Sequence, residues 1–193
     1  MNRDVFEKLK AQGYNRIPVY RSVLADLDTP LSVYLKLADG PDAYLLESVE
    51  GGETWGRFSI IGLPAARRYV LNGNTVKAFE EGVEVGREEV DDPLDFVAKL
   101  QKNFFAAKVP ELPVFTGGLV GYFGYEIVQH FEERLRDDEK PDQLETPEMV
   151  LLQSEEVAVL DNLAGRLFLI VNVDPHNPDA WDKAQRRLDR LSY

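Results

Sequence analysis

The chain has 193 residues, enough for one well-buried domain or a tightly joined pair. Its apolar share of 44% and charged share of 29% are those of an ordinary globular protein, and the net charge of −12 argues against a nucleic-acid surface or an anionic membrane as partner. With no cysteine there can be no disulfide, thiolate metal site or cysteine nucleophile. The start, MNRDVFEKLKAQGYN, mixes both charge signs and lacks the apolar segment of a signal peptide. Apolar runs are only a few residues long, far short of a membrane span, so the expected location is cytoplasmic.

In chain order, Val5, Phe6 and Leu9 lie on one face of a short helix over Arg3 to Gln12, stopped by Gly13. Ile17 to Tyr20 is a β-prone run. Thr29-Pro30 supplies an N-cap hydroxyl and a proline at the first helical position, opening a helix over Leu31 to Leu37. Strands are expected at Ala43 to Val49, Arg57 to Ile61 and Arg67 to Leu71. The last turns back through Asn72-Gly73-Asn74, which tolerates the positive φ angles of a tight hairpin, into Thr75 to Phe79. Glu81-Gly82 leads into Val83 to Arg87.

Asp92-Pro93 repeats the cap-and-proline signal before a helix reaching Phe104. After a proline-bearing connector come a strand at Leu119 to Phe123, a helix at Tyr125 to Glu133 and a charged loop from Arg134 to Pro147. Met149 to Leu160 and Arg166 to Val173 read as two long β-runs joined by the Asp161 to Gly165 turn, and Asn177-Pro178 caps a final helix. Single helices between hairpin-connected strands predict an α+β fold, a mostly antiparallel sheet flanked by helices, in one domain over residues 1–193.

Few side chains suggest chemistry. The two histidines, His130 and His176, have no metal-ligand spacing and no serine placed for a triad; both read as non-catalytic, His130 as a partly exposed helix residue and His176 as a solvated turn residue. Glu155 and Glu156 point to opposite faces of a strand and cannot serve one site. GGLVGYFG at Gly117 to Gly124 lacks the lysine of a phosphate loop, and its glycines read as places where backbones approach closely. Glu47, Ser48 and Arg57 remain. Ser48 can bond locally and Arg57 can pair with an acid such as Glu50 or Glu53. The same three suit an amino-acid ligand, with Glu47 and Ser48 for its ammonium and Arg57 for its carboxylate.

YLLESVEGGETWGRFSIIG at Tyr44 to Gly62, answered by GGLVGYFGYE at Gly117 to Glu126, resembles the N-terminal region of anthranilate synthase component I, a chorismate-using enzyme family. YNRIPVYR, TPLSVYLKL and VLDNLAGRLFLIV extend the likeness over most of the chain. The resemblance implies the N-terminal portion of that fold and a regulatory tryptophan pocket lined by Glu47 and Ser48, with Arg57 toward the effector carboxylate. It implies no catalytic, cofactor or metal residue in this stretch. The parent would convert chorismate and ammonia to anthranilate and pyruvate with Mg2+ in tryptophan biosynthesis, drawing ammonia from a glutamine amidotransferase subunit. The C-terminal half that holds the chorismate and magnesium sites has no match here, so the stretch by itself is expected to be inactive. The alternatives are the corresponding part of aminodeoxychorismate synthase component I and a stand-alone small-molecule-binding or interaction module.

Overall fold

The computed structural model describes residues 1–47, 56–135 and 144–192. Their contacts group them into two compact units, neither a continuous stretch of chain: Met1–Ala65 with Phe104–Gly118 and Ser154–Tyr193, and Ala66–Asn103 with Leu119–Gln153.

The first unit is built on an antiparallel sheet in the order β1-β10-β9-β3-β2. Its strands are β1 (Ile17–Leu24), β2 (Tyr44–Leu46), β3 (Phe58–Gly62), β9 (Glu156–Asp161) and β10 (Arg166–Val173). On one face Ile17, Val19, Ile61, Ala158, Leu160, Leu169 and Val171 form the main core. Three helices cover it: α1 (Arg3–Ala11), α2 (Pro30–Leu37) and α4 (Ala180–Leu191). Helix α4 turns Ala180, Ala184, Leu188 and Leu191 to the sheet, at the spacing that keeps one stripe inward. Its Trp181 ring lies 5.3 Å from that of Phe6. On the opposite face Val157, Val159 and Ile170 are covered by Leu112 and Phe115 of the connector. Strands β9 and β10 are thus buried on both sides, which explains why their sequences read as continuous apolar runs.

Local signals set most boundaries. Asn2 caps α1 by accepting from the Val5 amide. Thr29 and Ser32 form a reciprocal capping box at α2, an arrangement worth about 1 kcal/mol.

The second unit holds another antiparallel sheet, β6-β5-β4-β8-β7. Its strands are β4 (Arg67–Asn72), β5 (Thr75–Glu80), β6 (Val83–Glu89), β7 (Gly118–Phe123) and β8 (Met149–Ser154). Tyr69, Leu71, Val76, Met149 and Leu151 make its core under α3 (Pro93–Lys102), which contributes Phe96, Val97 and Leu100. Edge strand β6 is exposed throughout and carries Glu84, Arg87, Glu88 and Glu89, charges that blunt an open sheet edge.

Four sequence expectations change. The single run over Met149 to Leu160 is two strands in two sheets, broken at Glu155, whose carbonyl is taken by the backbone amide of Asn172 (2.8 Å) and by its side-chain amide (3.1 Å). The helix at Tyr125 to Glu133 is instead 3-10 turns at Tyr125–His130 and Glu133–Leu135, entered through Gly124 with no side-chain cap. Helix α3 stops at Lys102: Phe105 stacks on Tyr14 at 4.6 Å, and Phe104 lies under the Arg16 guanidinium. Helix α4 begins at Ala180, and Asn177 contributes a backbone carbonyl to the Ala180 amide where a side-chain cap was expected.

The glycine-rich segment is steric, as its sequence suggests. A Cβ on Gly121 would fall 1.8 Å from the Val150 carbonyl oxygen of neighbouring β8, a backbone atom that cannot yield. Gly121→Ala is therefore expected to destabilise the protein by about 1–3 kcal/mol, the range of overpacking substitutions. Urea unfolding monitored by circular dichroism would measure it, and an unchanged midpoint would contradict the close approach.

Candidate functional site

Strands β2 and β3 pair through Tyr44↔Gly62, Leu45↔Ile61 and Leu46↔Ile60. Glu47 follows the last β2 residue and Arg57 precedes the first β3 residue, so both stand at the same end of this pair. Glu47 is exposed and has no ion pair among the described residues. Ser48, the third candidate, lies outside the described residues, as do Glu50 and Glu53.

Arg57 has a partner that sequence reasoning did not find. Its Nε donates to both carboxylate oxygens of Asp161 at 3.0 and 3.1 Å, and Nη2 donates to Oδ2 at 2.6 Å. Its guanidinium carbon also lies 4.9 Å from the centre of the Phe58 ring. The Nη1 donors have no partner among the described residues, and the Arg57 side chain is 39% exposed. Asp161 was legible only as the first residue of a turn. Its cue is its sequence setting: an aspartate followed by Asn-Leu-Ala-Gly accepts from the amides two and three residues on. Here it does so from Leu163 (3.1 Å) and Ala164 (3.0 Å), leaving its carboxylate aimed across to the start of β3.

The same junction is tied twice more. The Asn162 amide nitrogen donates to the Arg57 carbonyl at 2.8 Å, and the Asn162 side chain donates to the Ser59 hydroxyl at 3.1 Å. Ser59 is fully buried and Asp161 nearly so. A buried carboxylate without partners would be costly, but this one has four N–H groups directed at it. The hydrogen bonds from Arg57, together with the Ala164 and Leu163 amides, hold the Asp161 carboxyl below the usual carboxylate range, outweighing the upward push of burial. At the other end of the hairpin the hydroxyl of half-buried Tyr44 lies 2.8 Å from the Ser154 hydroxyl, and desolvation raises its pKa.

The remaining candidates separate as their positions suggest. Glu156 forms a forked pair with Arg187 of α4, while Glu155 faces Arg16 at 3.5 Å. His176 is exposed, with its amide bonded to Asp174. His130 has a partner the sequence did not show: its side chain is 11% exposed, and Nε2 lies 2.9 Å from Glu148 Oε2. The other Glu148 oxygen accepts from the Gly73 amide, so this pair anchors a turn. Among the described residues no group of three or more His, Asp or Glu converges as a metal site. No helix of the described residues is long and apolar enough to cross a membrane. A cleft of about 390 Å³ in the second unit, between α3 and β4 to β6, contains none of the candidate residues.

A depressed carboxyl has a definite signature in acid. Because Asp161 binds its proton less readily when folded, its contribution is present above the unfolded pKa of about 4 and is lost as pH falls below it. Asp161→Asn should be less stable than the parent near neutrality and should show a shallower fall in melting temperature between about pH 5 and 2.5. Parallel curves for the two proteins would refute this.

No protein-family model matches the chain. Curated relatives match nearly all of it. It is 51% identical over 191 residues to anthranilate synthase component 1 of Pseudomonas putida, covering 99% of this chain and 39% of the relative. The protein of the same name from Neisseria meningitidis serogroup C is 47% identical over 194 residues, and that from Aquifex aeolicus 37% over 168. This chain spans 39% and 33% of their respective lengths. The crystal structure of anthranilate synthase component I from Streptococcus pneumoniae superposes with a TM-score of 0.56 at 22% identity, covering 88% of this chain and 35% of that one. This chain is therefore similar to the N-terminal region of anthranilate synthase component 1, in sequence over nearly all of its length and in fold over 88% of it.

Proposed function

We propose that the chain is the N-terminal, regulatory and partner-contacting part of an anthranilate synthase component 1, its two units forming one N-terminal domain. The identity of 51% across 191 residues carries this reading. The whole protein would convert chorismate and ammonia to anthranilate and pyruvate in the cytoplasm, as a step of tryptophan biosynthesis. Ammonia would come from glutamine through a second, amidotransferase component. The remaining region, not this one, would supply the chorismate site and the ligands of Mg2+.

Within this reading Glu47, Ser48 and Arg57 bind L-tryptophan as a feedback effector. The chemistry is that of a zwitterion. The Glu47 carboxylate at the end of β2 offsets the ligand ammonium, Ser48 adds one hydrogen bond, and the open edge of Arg57 at the head of β3 receives the ligand carboxylate. Support comes from the placement of Glu47 and Arg57 at one end of the β2–β3 pair, with Nη1 donors on Arg57 that no group among the described residues engages. Inhibition then follows if the ligand binds the less active state of the whole enzyme more tightly, by the difference those contacts make.

Two measurements test the reading. The isolated chain should produce no anthranilate from chorismate, magnesium and excess ammonium, followed by anthranilate fluorescence; product scaling with chain concentration would overturn that division of labour. In the full-length enzyme carrying this sequence, Glu47→Gln and Ser48→Ala should each weaken tryptophan inhibition about ten- to a hundredfold, the loss of a charge-assisted contact of roughly 1.5–3 kcal/mol once a bound ligand excludes water from it. Steady-state kinetics with and without tryptophan would measure it. A tenfold or greater fall in uninhibited kcat with inhibition intact would place these residues in catalysis or folding.

A further inference from the structure

We infer that Asp161 is a positioning residue for anion recognition by Arg57: it holds the guanidinium so that one edge is spent on the protein and the other is presented to a ligand carboxylate. The inference rests on the proposed effector role of Arg57.

Three observations carry it. First, the fork is asymmetric. Asp161 takes Nε and Nη2, and no described group takes Nη1, so the donors are divided between an inner edge and an outer one. Second, the orienting group is itself immobile. Asp161 is 3% exposed, accepts from the Leu163 and Ala164 amides, and sits opposite Phe58 in the β3–β9 ladder. Third, Arg57 is the exposed member of the pair, and its guanidinium rests over the Phe58 ring, which leaves rotation about the long side chain little room. An exposed surface pair would hold neither partner in place, because two flexible side chains lose entropy for little Coulomb gain in water. Here the carboxylate is already fixed by the fold, so only the arginine is ordered by the contact. A ligand carboxylate then meets a preorganised donor edge and need not itself order that side chain. A lysine at position 57 would keep the charge and lose the fork.

The test is a double-mutant cycle on tryptophan binding to the full-length enzyme carrying this sequence, measured by isothermal titration calorimetry alongside melting temperature. Arg57→Ala should weaken tryptophan at least tenfold. Asp161→Asn should weaken it about two- to tenfold, the cost of ordering one long side chain upon binding. In an Arg57→Ala background, Asp161→Asn should cause no further loss of affinity, even where it lowers the melting temperature. If Asp161→Asn weakens binding equally in both backgrounds, or lowers the melting temperature and leaves affinity intact, its role is only to hold the fold and the inference fails. If Arg57→Ala itself leaves affinity unchanged, the effector role of Arg57 fails, and the inference with it.

Discussion

The contact between Asp161 and Arg57 is a junction of three strands expressed in two side chains. Asp161 ends β9, turns the chain toward β10 through the Leu163 and Ala164 amides, and reaches the residue that begins β3. Each role satisfies part of a carboxylate that burial would otherwise make costly. Removing the arginine leaves that carboxylate short of its strongest donors. Removing the carboxylate frees a long cation and takes the acceptor from two turn amides. The contact fits the register of β3 against β9, with Phe58 opposite Asp161, in which Ile61 enters the main core and Ile60 the opposite face.

A second constraint is backbone proximity in the first unit. Asn172 donates its side-chain amide to the Thr116 carbonyl (2.6 Å) and to that of Glu155, and the adjacent Gly117 has a φ of +135°. A side chain at Gly117 would meet the Ser154 carbonyl at 2.7 Å, so the absence of Cβ and the left-handed backbone are both required there. The break at Glu155 follows from this bonding. Its carbonyl is drawn to Asn172, and the chain leaves one sheet at Ser154 to enter the other at Glu156. The two adjacent acids part company accordingly, one toward Arg16 and one toward Arg187.

Much of this was legible in the sequence where the signal is local. The N-cap at Thr29, the proline-led starts of α2 and α3, the Asn72-Gly73 hairpin and the stripe of α4 all depend on neighbours within a turn or two. The misreadings share one cause. Met149 to Leu160 has no turn residue to mark its break, because the break is made by Asn172, which is distant in sequence. Phe104 fits a helical pattern, yet its partner is Arg16. The partner of His130 was not legible because Glu148 lies 18 positions further along the chain.

Taken alone, the sequence determined the α+β class, most element positions and, through LLES, GRFSIIG and GGLVGYFGYE, the relationship to anthranilate synthase component I. Those properties follow from side-chain periodicity, capping and turn chemistry, all written over short spans of chain. Only the tertiary structure decided which acid holds Arg57, that two sheets are present, and where a glycine must stand against a neighbouring carbonyl. Each of these is a contact between residues far apart in the chain. Asp161 is 104 positions from Arg57, and a carboxylate in a turn sequence carries no mark of the strand it will face until folding brings that strand alongside.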